Sequence, residues 1–250
     1  TGREGRPGRL AILDQDASGQ YLYPDMVLAR DLLARNGIET LILDPEALTY
    51  ENGDLAHGGR AIDMVYNRLT DFDLSEPGHA HLRAALLDEA VVISPAPRHH
   101  ALYANKRNLI WLSDPDSLKS FGADDADRQV LAAIPDTRRV TEDVADELWA
   151  TRRGYFFKPA AGFGSRAAYR GDKLTKRVWS AILEGDYIAQ ALVPPTVRAV
   201  TVDQEPVTLK YDVRLYTYAG KTLLLAARVY QGQTTNFRTS GGGFAPVYQF

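Results

Sequence analysis

A chain of 250 residues, 45% hydrophobic and 24% charged, can bury a sizeable core in one large domain or two moderate ones. The net charge of −3 comes without a basic block, which disfavours a nucleic-acid surface. Cysteine is absent, which removes disulfides, thiolate metal sites and a cysteine nucleophile. No apolar run is long enough for a membrane span and no signal peptide is evident, so a cytoplasmic protein with no membrane partner is the expectation.

Residues 1–9 lack a starting methionine and an apolar pattern, and read as a cut end, a linker or a processed terminus of a longer chain. Residues 10–13 predict a strand, followed by Asp14, Gln15 and Asp16. Met26, Val27, Leu32 and Leu33 fall at helical spacing over 23–36, and Gly37 stands where a helix C-cap belongs. Strands follow at 40–43, 64–69 and 91–93, with helix signals over 79–89. Alternating strands and helices predict a parallel, doubly wound lobe ending near Pro95 or Pro97.

A helix is expected over 99–112, and the acidic stretch 113–128 reads as a surface connection. Beyond it the pattern changes. Helix signals occupy 144–149 and 174–184, and strand signals occupy 155–158, 166–169 and 187–192. Residues 209–218 and 221–230 form a hairpin around Ala219-Gly220, so this second lobe reads as α+β on antiparallel pairs. The division falls between 1–97 and 98–250.

Chemistry concentrates in the second lobe. In Phe156-Phe-Lys-Pro-Ala-Ala-Gly-Phe-Gly-Ser165, an apolar strand ends on Lys158 and opens into a small-residue loop with Gly162, Gly164 and Ser165. This is a plain hairpin, or a loop whose backbone N–H groups close over an anion. It lacks the ending of the P-loop and the glycine spacing of dinucleotide folds. Alternation along 209–215 puts Lys210, Asp212 and Arg214 on one face, with Arg228 on the return strand. That face is either solvated or a wall for phosphate and ribose, since Arg grips anionic oxygens and Asp accepts from hydroxyls. In Tyr187-Ile-Ala-Gln-Ala-Leu-Val-Pro-Pro195, backbone groups around Gln190, Ala191, Leu192 and Val193 either end an edge strand or meet a base. The tail offers Asn236, Arg238, Thr239, Ser240, Gly241 and Gly242 as a loop for an anionic intermediate, unless it is a disordered end.

In the first lobe, Arg68, Thr70 and Asp71 lie at the end of a parallel-type strand, where open α/β sheets bind ligands, although Asp71 and Asp73 could also serve as helix caps. Lys106 belongs to the expected helix 99–112. The adjacent His99 and His100 point to different sides of a helix and make a poor metal pair.

The order of these pieces over roughly 64–245 resembles the ATP-grasp superfamily, and within it the glutathione synthetase-like ligases. The resemblance implies a pre-ATP-grasp lobe followed by an ATP-grasp fold. It assigns Lys106 and Lys158 to nucleotide phosphates, 162–165 to the lid, 190–193 to the adenine hinge and Asp212 to ribose or a metal. Arg214, Arg228, Asn236 and Arg238 then surround the acyl phosphate, and Arg68, Thr70, Asp71, Ser240, Gly241 and Gly242 meet substrate. ATP and Mg2+ are the implied cofactors, and a small carboxylate and an amine the implied partners; oligomeric state is open, with a homodimer one expectation.

One departure is large. The family's Glu-x-Asn metal strand follows the glycine loop, whereas this sequence stops at Phe250 shortly after it. The circularly permuted branch, similar to glutathionylspermidine synthetases, would place that strand upstream of Thr1. The alternative is a catalytically inactive nucleotide-binding or scaffold module. A dinucleotide-binding lobe of an oxidoreductase is disfavoured by the missing Gly-x-Gly-x-x-Gly after 10–13.

Overall fold

The computed structural model describes residues 5–164, 166–202, 204–232, 237 and 240–248. The chain divides into two compact units, Thr1–Asn108 and Leu109–Phe250.

The first unit is built on the parallel strands β1 (Arg9–Leu13) and β2 (Glu39–Leu43), joined through α1 (Tyr23–Arg35). Arg35 is followed by Asn36 and by Gly37 at φ +79°, a conformation glycine adopts without a Cβ penalty. A small antiparallel meander comes next: β3 (Thr49–Glu51), β4 (Asp54–His57) and β5 (Arg60–Ala61). The sequence reading assigned no element there, because these strands are too short to show period-two patterning. Then come β6 (Met64–Asn67), α2 (Ala80–Leu87) and β7 (Val92–Ser94). The parallel sheet runs β2-β1-β6-β7, and all five residues of β1 are buried. Apolar residues from both faces of β1 enter separate clusters: Ala11 and Leu13 with Val65 and Leu82, Leu10 and Ile12 with Met26.

The long helix expected over 99–112 is two short ones, α3 (Pro97–Tyr103) and α4 (Asn108–Leu112). The break has a local cause. The Asn105 side-chain oxygen accepts the Arg107 N–H at 2.9 Å, a turn that competes with helix continuation. Lys106 therefore sits in a turn, not on a helix.

The acidic stretch 113–128 is also corrected. It holds α5 (Pro115–Ser120) and α6 (Asp125–Leu131), and two of its aspartates are helix caps. Asp114 accepts the Ser117 N–H at 2.9 Å, and Asp124 accepts the Asp127 N–H at 2.8 Å. Asp114→Ala is expected to destabilise α5, read as a fall of the urea midpoint with an unchanged slope.

The rest of the second unit forms two antiparallel sheets. One runs β10-β9-β11-β8 and is built from β8 (Thr137–Arg139), β9 (Tyr155–Pro159), β10 (Tyr169–Arg170) and β11 (Tyr187–Ala191). The helices α7 (Ala145–Thr151) and α8 (Lys176–Glu184) contribute Leu148, Trp179 and Ile182 to a core with Phe157 and Ala189. Phe157 meets Trp179 edge-on at 5.5 Å.

The other sheet runs β12-β13-β14-β15, from β12 (Thr196–Val202), β13 (Glu205–Tyr218), β14 (Lys221–Tyr230) and β15 (Gly243–Pro246). Its hairpin turns at Ala219 and Gly220, both at positive φ (47° and 75°), as the twist of a two-residue turn requires. The sequence reading contained this hairpin but not the outer strands β12 and β15. No helix is long and apolar enough to cross a membrane among the described residues.

Candidate functional site

In the second unit, alternation along β9 decides which side chains can meet a ligand. Phe157 points into the core, so Phe156 and Lys158 share the opposite face. Lys158 Nζ donates to Gln190 Oε1 of β11 at 2.6 Å and lies 5.6 Å from the centre of the Phe156 ring. Immediately beyond, Gly162 and Gly164 adopt φ +141° and +59°. The loop is tied down at both ends. The Ala160 N–H donates to the Asp186 carbonyl at 2.9 Å, and the Tyr187 hydroxyl donates to the Ala167 carbonyl at 3.1 Å. Ser165 lies outside the described residues.

The hinge 190–193 is narrower as a base-binding edge than the sequence suggests. The Ala191 N–H donates to Asp136 and the Leu192 N–H to Gly154, both at 2.8 Å, so these donors serve the fold. Val193, 63% exposed, stands where the chain leaves the sheet.

On the hairpin sheet, Asp212 and Arg228 are opposite each other in register and lock fork to fork, with contacts of 2.7 and 2.8 Å. This hydrogen bonding raises the Arg228 pKa. Lys210 donates to the Gly232 carbonyl, and Arg214, opposite Ala226, is exposed. The Gln231 amide donates to the Ser240 carbonyl at 3.1 Å, with Gly241 next at φ +70° and Gly242 leading into β15. Asn236, Arg238 and Thr239 lie outside the described residues.

Among the described residues no magnesium site is complete. Both Asp212 oxygens are engaged by Arg228, and among the described residues no group of three or more His, Cys, Asp or Glu side chains could hold a metal.

In the first unit, Arg68 follows β6 at the carboxyl end of the parallel sheet, close to where strand order reverses. It donates to Asp25 at 2.9 Å and to the Tyr66 hydroxyl at 3.3 Å, and lies 3.6 Å from Asp14. Burial pushes the Asp14 carboxyl up, against the pull of the Gln15 N–H and of Arg68. Sequence reasoning missed Asp14 and Asp25 as partners of Arg68; the Asp-Gln-Asp run directly after β1 was the available signal.

Thr70 is exposed, whereas Asp71 faces inward. Its carboxylate accepts the Glu76 N–H at 2.8 Å and the Ser75 hydroxyl at 3.1 Å, and pairs with His79 Nδ1 at 2.6 Å. The Asp71 carboxylate is thus engaged within the lobe. Burial pushes the Lys106 ammonium below its usual pKa. His100 stacks on Phe72 at 3.4 Å, a packing role.

No protein-family model matches the chain, and no curated protein matches it. Solved structures do. A protein of Methylobacillus flagellatus KT provisionally named a gamma-glutamylcysteine synthetase superposes with a TM-score of 0.54 at 12% identity, covering 96% of this chain and 68% of that one. The D-cycloserine synthetase DcsG superposes with a TM-score of 0.51 at 16% identity, covering 88% and 68%. The ATP-grasp ligase PsnB, complexed with minimal precursor, gives 0.46 at 14% identity over 91% and 78%. At such identities the likeness is one of fold. The chain has a mixed α/β fold with several sheets, similar to that of the two synthetases, in keeping with the fold that the resemblance implied.

Proposed function

We propose that the chain is an ATP-dependent carboxylate–amine ligase working through an acyl phosphate. The observation that carries this reading is Lys158, its ammonium held by Gln190 at the root of a loop with two positive-φ glycines. Two structural relatives that are synthetases by name support it.

A free carboxylate is a poor acyl donor at neutral pH. In the proposed reaction its oxygen attacks the γ-phosphorus of ATP, the bond to the β-phosphate oxygen breaks, and ADP leaves. The amine then attacks the acyl carbon, loses a proton and expels phosphate. The chain's task is to position reactants and offset charge, with no covalent step of its own. Lys158 holds phosphate oxygens, and the loop 160–168 covers them and excludes water. Arg228, kept in place by Asp212, and Arg214 face the transferring group, with Asn236 and Arg238 as further candidates. Val193 and its neighbours meet the base. Within the first unit, Arg68 and Thr70 are candidates for an anionic substrate group and Lys106 for phosphate; within the second, Ser240, Gly241 and Gly242 are candidates for the acyl phosphate. No step runs through magnesium, because Asp212 is engaged by Arg228.

Hydroxylamine tests the reaction. With ATP and a panel of amino acids and other small carboxylates, an acyl phosphate is trapped as a hydroxamate with stoichiometric ADP release. Absence of both across the panel, with ATP bound, sinks the ligase reading. That outcome favours the second reading, a nucleotide-binding module without turnover, which the engagement of Asp212 by Arg228 supports. The permuted arrangement belongs to the same proposal, and a Glu-x-Asn strand encoded upstream of Thr1 is its test.

A further inference from the structure

We infer that Thr137 is a positioning residue for Lys158, acting through Gln190, and that this relay sets the chain's preference for a phosphorylated nucleotide over its nucleoside. The inference rests on the nucleotide-binding part of the proposed function and adds to it a buried residue outside the loop.

Thr137 opens β8, lies opposite Gln190 in the sheet register and is only 3% exposed. Its hydroxyl donates to the Pro135 carbonyl at 2.9 Å. A carbonyl carries no proton, so the single hydroxyl proton is committed and the oxygen is left to accept. Gln190 Nε2 donates to it at 3.1 Å. An amide has one donor end and one acceptor end, so Gln190 Oε1 must face the other way, and Lys158 Nζ meets it at 2.6 Å. Ammonium is a donor only, which makes the polarity of the relay consistent from end to end. A flipped amide would set N–H groups against the ammonium.

The far end is anchored as well. The Thr137 N–H donates to Ser113 Oγ at 3.2 Å, and that hydroxyl donates to the Ile110 carbonyl at 3.3 Å. Lysine has a flexible four-carbon stem, so fixing its tip in advance reduces the ordering that a ligand must impose. A neutral amide does this without cancelling the charge, as a carboxylate would. The relay therefore acts on contacts to phosphate and not on contacts to base or sugar.

The test measures dissociation constants of ATP and of adenosine by calorimetry for the full chain and for Thr137→Val, Thr137→Ser and Gln190→Glu. Valine keeps the β-branched shape but removes the acceptor, so the ATP constant is expected to rise about tenfold while adenosine changes by less than about twofold. Serine returns the hydroxyl and restores ATP binding. Glutamate pairs with Lys158 and weakens ATP selectively.

A residue that merely supports the sheet would move both ligands together. Equal losses for ATP and adenosine, unchanged ATP binding in Thr137→Val, or no rescue by serine each overturn the inference. If the unaltered chain binds no ATP, the proposed function itself fails and the relay loses its role. Side-chain amide exchange of Gln190 by NMR checks the relay without nucleotide. Protection is expected in the unaltered chain and its loss in Thr137→Val; equal exchange in the two overturns the inference.

Discussion

Lys158→Ala is expected to erase the thermal stabilisation that ATP confers on this chain. A ligand at a hundredfold excess over its dissociation constant stabilises the folded state by about 2.7 kcal/mol. For a chain of this size that corresponds to roughly 5–10 °C in melting temperature. Lys158 supplies a localised charge at the root of the glycine loop, held 2.6 Å from Gln190, and alanine removes it with little effect on the core, because Phe157 rather than Lys158 packs inward. The melting temperature without ATP should therefore change little. Lys119→Ala, which alters an exposed lysine of α5, serves as the control and should keep the full ATP shift. An ATP shift undiminished in Lys158→Ala removes the role assigned to this lysine.

Asp71→Ala is expected to destabilise the first unit by about 3 kcal/mol, through the donors it leaves behind. The Asp71 side chain is 6% exposed and His79 only 2%. The Glu76 N–H, the Ser75 hydroxyl and His79 Nδ1 all converge on the Asp71 carboxylate, and His79 Nε2 reaches Gln15 at 3.3 Å. Burial pushes this carboxyl up, but the hydrogen bonds from Glu76, His79 and Ser75 outweigh it and hold the group well below the usual carboxylate range.

The sign of the pH dependence follows. A carboxyl whose folded pKa is depressed contributes stability that is fully present above its unfolded value, about 3.9, and is lost as pH falls through the folded value. The unaltered chain should lose stability in the first unit as pH drops below about 4, and Asp71→Ala should lack that part of the fall. Hydrogen exchange at the β6 amides reads the first unit directly. Protection in Asp71→Ala equal to that of the unaltered chain at neutral pH would show that the carboxylate is not the organising acceptor described here.

Much of the first unit was legible because its strands and helices carry strong local patterns. The run 10–13 became β1, the helical spacing after Tyr23 became α1, and Gly37 marked its end. The misreadings have physical causes. α5 and α6 went unseen in 113–128 because a capping aspartate and a purely solvated one share one residue type; only the N–H three residues on distinguishes them. The expected helix 99–112 failed because one hydrogen bond, donated by the Arg107 N–H to the Asn105 side-chain oxygen, outweighed a favourable helical pattern. β12 and β15 went unseen because neither run carries a period-two apolar pattern, and both are held by their pairing with β13 and β14.

The amino-acid order alone established the chemistry that is possible: no thiol, a lysine at the root of a glycine-bearing loop, and Lys210, Asp212 and Arg214 on one face of a hairpin strand. It also carried the fold class, since strand and helix periodicities are local properties of the chain. Which polar side chains face one another was decided only by tertiary structure. Register set Asp212 against Arg228 and Gln190 beside Thr137, and chain reversal brought Asp25 to Arg68 and His79 to Asp71. Hydrogen bonds act over about 3 Å, whereas these partners stand from 8 to 53 positions apart in the chain, a distance that only folding closes.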